Sequence, residues 1–368
     1  MLESKRKVLV LANTVSGVYN VRKELISALQ ESGYEVYIGA PQRIRAEYFE
    51  EHGCHIVHVD YKRKSVNPFA DLSLLLKYYK LMKRIKPDAV LTFAIKPNVY
   101  GGVAARWCGI PQLANITGLG VALENPGKLQ KTGIWLYRWG LRKAKVVFFQ
   151  NEANKDFCLK NKMVKGRNRM IPGSGVCLDF HTLLPFPPED TIEFVFISRI
   201  LKEKGIDQYL EAAKFIRKKY PNTVFHVIGN CEDNYAKLLN DLNEMKVIIY
   251  HGVIWDVRPV IKQCHCLIHP SYYPEGMSNV LQEASAAGRV IITTRRAGCG
   301  EICEDGVTGF LVNQQDTSDL ISKIETFLSL PYEKKMEMGR AGRRKMEKEF
   351  DRNIVINAYL DELKEILG

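Results

Sequence analysis

Short apolar runs alternate with amphipathic stretches along the whole chain. Val8-Leu9-Val10-Leu11-Ala12 is continuously apolar, whereas residues 20–33 place apolar side chains three and four apart. The first pattern is that of a strand buried on both faces, the second that of a helix with one buried side. The alternation predicts strands over 7–12, 35–40, 55–59, 89–94, 112–116 and 146–150, and helices over 20–33, 46–52, 72–85 and 98–108. It restarts with strands over 193–198, 223–228, 247–250, 266–269 and 290–293, and helices over 205–219, 235–245, 257–263 and 279–287. From Pro331 onward the pattern is purely helical.

Repeated strand and helix units of this spacing mean parallel sheets covered on both faces. The turn-rich stretch Ile171-Pro172-Gly173-Ser174-Gly175, followed by Pro185, Pro187 and Pro188, separates the two blocks. The expected organisation is an α/β domain over 1–170, a hinge linker over 171–190, a second α/β domain over 191–345 and a helix over 346–368 that packs back on the first domain. In open parallel sheets, ligands bind beyond the carboxyl ends of the strands, so the expected site is a cleft between two facing sheets.

Composition changes the picture only through charge. The 46% hydrophobic and 26% charged fractions are those of a globular chain, not a disordered or collagenous one. The net charge of +12 predicts an anionic partner: nucleic acid, an acidic membrane or a phosphorylated small molecule. It is unevenly spread, with 29 Lys+Arg against 14 Asp+Glu in residues 1–180 and a slightly acidic remainder. Basic residues gather at Lys62-Arg63-Lys64, at Lys80, Lys83, Arg84 and Lys86, and at Arg138, Arg142, Lys143 and Lys145. The last group follows Ile134-Trp135-Leu136-Tyr137 and includes Trp139, a mixture of rings and cations suited to anionic lipid. A merely solubilising surface is the plainer alternative. No stretch reaches the ~18 apolar residues that span a bilayer, so any membrane association is expected to be peripheral.

The nine cysteines lack the density of a disulfide framework and point to a reducing compartment. Cys264 and Cys266 fall in an apolar run and are expected to pack there. The eight histidines have no metal-ligand spacing, so no metal is expected.

Two segments carry candidate chemistry. In Ser271-Tyr272-Tyr273-Pro274-Glu275-Gly276-Met277-Ser278-Asn279, the chain leaves a strand and enters a helix, with Asn279 and Gln282 spaced as a capping box. The loop therefore aims at a helix N-terminus, whose free N–H groups favour anions. Glu283 lies one turn inside, where a carboxylate can accept from vicinal hydroxyls; the bland alternative is a solvated helix residue. In the second segment, Arg199 at a strand end and Lys204 before a helix could converge on one diphosphate, the Arg as a fork and the Lys as a point charge.

Together these segments resemble the donor-site signatures of the retaining glycosyltransferases of family 4, which have the α/β GT-B architecture of two facing Rossmann-like domains with a C-terminal helical segment. A strand-end Arg followed by Lys-Gly is met by Arg199 and Lys204-Gly205. Two glutamates seven residues apart, the first followed by Gly, are met by Glu275-Gly276 and Glu283. The stretch Val66-Asn67-Pro68-Phe69, with Lys96, Asn98 and Gly101, is similar to the bacterial subgroup that adds a sugar to an undecaprenyl diphosphate-linked saccharide, including N-acetylgalactosaminyltransferases.

The resemblance implies that Arg199 and Lys204 bind the donor diphosphate and stabilise the leaving nucleotide without a metal. It implies that Glu283 accepts the ribose hydroxyls, and that Glu275 with Gly276, Met277, Ser278 and Asn279 holds the transferred sugar and a phosphate oxygen. Gly17 would let a first-domain loop approach the UDP-sugar. Thr117, ahead of Gly118, stands where many relatives have a His, and Thr is no general base at neutral pH. The leaving phosphate would then take the proton. A non-hydrolysing UDP-sugar epimerase, a nucleic-acid-binding protein and a non-catalytic donor-binding relative are the competing readings.

Overall fold

The two blocks of apolar runs fold as two separate parallel sheets. A computed structural model describes residues 5–62, 67–231 and 235–368. The chain divides into unit 1, Met1–Ser174 with Asn353–Gly368, and unit 2, Gly175–Arg352.

Unit 1 has strands β1 (Lys7–Leu11), β2 (Glu35–Ala40), β3 (His55–His58), β4 (Ala89–Phe93), β5 (Gln112–Ile116), β6 (Val146–Phe149) and β7 (Arg167–Met170). They form one parallel sheet in the order β3-β2-β1-β4-β5-β6-β7. Its helices are α1 (Val15–Glu31), α2 (Ala46–Glu51), α3 (Pro68–Ile85), α4 (Gly102–Cys108), α5 (Val121–Glu124), α6 (Lys128–Gly140) and α7 (Glu152–Lys160).

Unit 2 has β8 (Ile192–Ile197), β9 (Thr223–Ile228), β10 (Ile249–Tyr250), β11 (Cys266–His269), β12 (Val290–Thr294) and β13 (Gly309–Val312), in the order β10-β9-β8-β11-β12-β13. Around them lie α8 (Ile206–Lys219), α9 (Ala236–Glu244), α10 (Arg258–Gln263), α11 (Asn279–Ala286), α12 (Thr317–Ser329) and α13 (Tyr332–Glu349). The helix α14 (Arg352–Leu367) starts at the end of unit 2 and belongs almost wholly to unit 1.

Strand alternation explains the layers. Val8 and Val10 of β1 face a core shared with α1, α2 and α14, while Leu9 and Leu11 face one shared with α3, α4 and α6. In β8, Phe194 and Phe196 meet α8, α9 and α12, and Val195 points to the opposite face with α10 and α11.

Caps shift several helix starts from the expected positions. The Gly17 N–H donates to Thr14 Oγ1 at 2.9 Å, so α1 begins at Val15 and Gly17 lies in its first turn rather than in a loop. Asn67 accepts from the Phe69 N–H at 2.9 Å with Pro68 opening α3, which therefore begins four residues before the predicted helix. Val66, and Arg63 and Lys64 of the first basic cluster, lie outside the described residues. Strands β7 and β13 have no sequence-predicted counterpart. The first has two exposed positions out of four, so no apolar run marks it. From Gly175 on, the expected linker packs against unit 2: the Leu184 N–H donates to Ala287 O, Arg289 to Pro185 O and Lys335 to Glu189.

The carboxyl ends of β4, β5 and β6 meet α14 through a buried polar chain. Asn98 Nδ2 donates to Asn115 O, Gln150 Nε2 to Asn115 Oδ1, and Asn115 Nδ2 to the Tyr359 hydroxyl at 2.6 Å. Tyr359→Phe strands the Asn115 N–H in a dry interior, and is expected to lower the unfolding free energy by about 1–2 kcal/mol in urea denaturation.

Candidate active site

The loops after β8 and β11 are neighbours because these strands adjoin where the sheet order reverses, the place where open α/β sheets bind ligands. After β8 a single 3-10 turn, Lys202–Lys204, ends at Gly205 with φ +79°. A Cβ there would stand 2.2 Å from Pro270 O, so only glycine lets the two loops touch. This contact delivers Lys204, buried, against the segment Pro270–Ser278.

Lys204 Nζ donates to Glu275 Oε1 at 2.6 Å. The same oxygen receives the Ser271 hydroxyl at 3.1 Å and lies 3.2 Å from His269 Nε2. Burial alone would push the Glu275 carboxyl up, but the Lys204 ammonium and the His269 donor outweigh it, and its pKa falls well below the usual carboxylate range. Burial lowers the His269 pKa, keeping it a neutral donor. Tyr273 lies under both cations, its ring centre 4.8 Å from Lys204 Nζ and 5.5 Å from the Arg199 guanidinium carbon. Arg199 makes no hydrogen bond or ion pair among the described residues, so its planar fork is available to a ligand. Lys204 is neutralised and Arg199 is not, which leaves the pair of loops one net positive charge.

Backbone ties hold the β11 loop in place. The Tyr272 N–H donates to Glu203 O, the Ser278 N–H to Gly298 O, and Arg296 Nε to Tyr273 O. Gly276, Met277 and Ser278 are buried ahead of α11. The capping-box expectation fails: Ser278 is the N-cap, Asn279 is already helical, and Gln282 turns inward with neither amide atom partnered. With the Ser278 N–H fixed on Gly298 O, the helix starts at Asn279, one residue earlier than a cap at Asn279 requires.

Glu283 is half-buried and has no hydrogen bond or ion pair among the described residues. Burial raises its pKa, against the pull of the Arg352 charge. Two carboxylates one helix entry apart are thus pushed in opposite directions.

The structure therefore brings Arg199, Lys204 and Glu275 together in unit 2, with Gly276, Met277, Ser278, Asn279 and Glu283 following in the same loop and helix. Gly17, Thr117 and Gly118 belong to unit 1, where Thr117 and Gly118, the latter with φ +132°, follow β5. Sequence reasoning missed His269, Ser271 and Tyr273 as members of the site. The run from the end of β11 to Glu275 was the available signal, since one tight turn must fold polar groups back on the strand end. His269, Glu275 and Cys299 also offer ligand atoms within 4.8 Å of one another, but the ammonium on Glu275 Oε1 repels a divalent ion there.

Residues 7–151 match the glycosyl transferase 4-like family, and residues 185–345 the glycosyl transferases group 1 family. Among curated proteins, the chain is 25% identical to the N,N'-diacetylbacillosaminyl-diphospho-undecaprenol alpha-1,3-N-acetylgalactosaminyltransferase of Campylobacter jejuni, over 95% of this chain and 96% of that one. It is also 25% identical to the UDP-Gal:alpha-D-GlcNAc-diphosphoundecaprenol alpha-1,3-galactosyltransferase of Escherichia coli, over 71% of each. A glycosyltransferase from Rickettsia africae shares the fold with a TM-score of 0.80 at 20% identity, over 99% of both chains. An Anabaena protein solved in complex with UDP does so with a TM-score of 0.78 at 16% identity, covering 98% and 99%. Neither the epimerase nor the nucleic-acid reading is supported by these matches. With one family accounting for most of each unit, the chain belongs to the glycosyltransferases of the GT-B fold, group 1 in its second unit and family 4-like in its first.

Proposed function

We propose that the protein moves a hexose or N-acetylhexosamine from a UDP-sugar to an undecaprenyl diphosphate-linked saccharide, with retention of the anomeric configuration. The relatives from Campylobacter jejuni and Escherichia coli, named for such acceptors, support the substrate class. The observation that carries the donor side is the pair of cations over Tyr273, one of them without a counter-ion. Arg199 and Lys204 bind the diphosphate, Glu283 accepts the ribose hydroxyls, and Glu275 with the Gly276–Asn279 loop holds the sugar. The acceptor hydroxyl bonds to the anomeric carbon on the face that the nucleotide leaves. As the bond to phosphate oxygen breaks, that oxygen takes the hydroxyl proton, so Thr117 need not act as a base. Arg199 and Lys204 stabilise the charge that develops on the departing nucleotide. A panel of nucleotide sugars should raise the melting temperature only for the true donor, and only that donor should release nucleotide with a polyprenyl diphosphate sugar. A panel in which no uridine nucleotide stabilises the protein overturns the donor assignment.

The acceptor would be met at an anionic membrane surface on the cytoplasmic side. No helix among the described residues is long and apolar enough to cross a membrane. The layer formed by α3, α4 and α6 supports peripheral docking: Phe69 is 83% exposed, and Leu72, Trp107, Leu129 and Trp135 also point outward. Lys80, Lys83, Arg84, Arg142 and Lys143 are exposed among them, while Ile134 and Tyr137 turn into the core. Replacing these five cations by Glu is expected to weaken binding to anionic vesicles by at least about 100-fold, at roughly 1 kcal/mol per basic residue near the surface. Unchanged sedimentation with the vesicles overturns this docking face.

A further inference from the structure

At the amino end of the second sheet, about 20 Å along β8 from Arg199 at ~3.3 Å per residue, a largely buried polar cluster lies apart from the residues assigned to sugar transfer. Glu193 of β8 and His226 of β9 point to the same sheet face, and Cys264, just before β11, flanks Glu193 from the other side. His226 Nε2 lies 2.8 Å from Glu193 Oε2, and one ligand atom each from Glu193, His226 and Cys264 lie within 4.8 Å of one another. His226 and Cys264 are buried, while the Glu193 side chain keeps 24% exposure, an entry path from solvent.

We propose that Glu193, His226 and Cys264 bind a zinc-like divalent ion, at a site that goes beyond the transfer reaction. A nitrogen, a carboxylate oxygen and a thiolate form a ligand set that zinc accepts, with a fourth position left to water. Tetrahedral bonds of about 2.0–2.1 Å place neighbouring N and O ligands about 3.3 Å apart. The pair need open by only about half an ångström.

The second shell is already present. His226 Nδ1 lies 2.9 Å from His251 Nε2. Without metal, His226 donates from Nε2 to Glu193 and accepts at Nδ1 from His251. With metal on Nε2, the proton moves to Nδ1 and is donated to His251, whose neutral form is favoured by burial and by repulsion from His226. The ion, the carboxylate and the thiolate sum to zero charge. Burial and the Glu193 charge raise the Cys264 pKa, so metal binding must displace the thiol proton to solvent; Arg289, held by the carbonyls of Ile261, Lys262 and Pro185, only partly opposes that rise. Lys204 on Glu275 blocks the other His, Glu and Cys cluster, and among the described residues no lysine or arginine forms an ion pair with Glu193.

The full chain, purified without a histidine tag and dialysed against metal-free buffer, is expected to retain about one zinc per chain by elemental mass spectrometry. Loaded with Co²⁺, it should show a thiolate-to-cobalt charge-transfer band that is lost in Cys264→Ala and kept in Cys299→Ala. A wild-type protein without that band, or a band that follows Cys299, overturns the proposal. If Cys264→Ala does not fold, His251→Ala decides: a drop in Co²⁺ affinity of about tenfold or more supports the site, and an unchanged affinity overturns it.

Discussion

Lys204→Met should lower sugar transfer by roughly 10²–10³-fold, the loss seen when one preorganised donor to a developing anion is removed. The prediction rests on a buried ammonium placed over Tyr273 by the Gly205 contact. Initial rates of nucleotide release at saturating donor and acceptor measure it, and a rate within a few-fold of the parent removes Lys204 from the chemistry. The stability arm runs the other way round the pair. Glu275→Gln leaves the Lys204 charge buried without its partner and is expected to destabilise unit 2 by about 3–5 kcal/mol. Lys204→Met leaves the Glu275 carboxylate with His269 and Ser271, a smaller loss. Because the folded-state pKa of Glu275 is depressed, its contribution is fully present above the unfolded value near 4.5 and is lost as the pH falls below it. Denaturation midpoints of the parent should therefore fall more steeply below about pH 4.5 than those of Lys204→Met.

Glu283→Gln should separate stability from binding. Its carboxylate is held in a half-buried place without a donor, so ionisation costs the folded state something that a bound ribose would return. In the ligand-free protein near pH 7 the Gln variant should melt higher, by about 2–4 °C for each kcal/mol recovered. Its affinity for UDP should fall by about 10–100-fold, as for a charge-assisted hydrogen bond of roughly 1.5–3 kcal/mol. The raised pKa sets the sign with pH. The penalty is full above the folded-state value and vanishes as the pH drops to the unfolded value near 4.5, so the two proteins should converge in acid. Calorimetry showing undiminished UDP affinity in the Gln variant would falsify the ribose assignment.

The strands with unbroken apolar runs were legible because burial on both faces favours apolar side chains at successive positions, as in Val8–Leu11 of β1 and throughout β6. β7 was not, since an edge strand with Arg167 and Asn168 exposed has no such pattern. At the site, Arg199, Lys204, Glu275 and Glu283 were visible through spacing, which reports residues close along the chain. Tyr273 as a shared platform for two cations, and the Glu193, His226 and Cys264 cluster, arise from neighbouring strands far apart in sequence. No local spacing encodes them. Gln282 misled for a related reason: its position fits a box with a cap at Asn279, but Ser278, tied to Gly298 in another loop, caps the helix one residue earlier.

The two crossings between units, at Ser174–Gly175 and Arg352–Asn353, set an order for folding during synthesis. Unit 2 is one continuous segment and can close its core once residue 352 has left the ribosome. Unit 1 must wait with the α14 side of its sheet uncovered, because Val355, Tyr359 and Leu363 are made after everything else in it. The first half of the chain to be translated is thus the second to be finished, and a ribosome stalled near residue 350 would display to chaperones the apolar part of the sheet face that α14 covers beside α1 and α2.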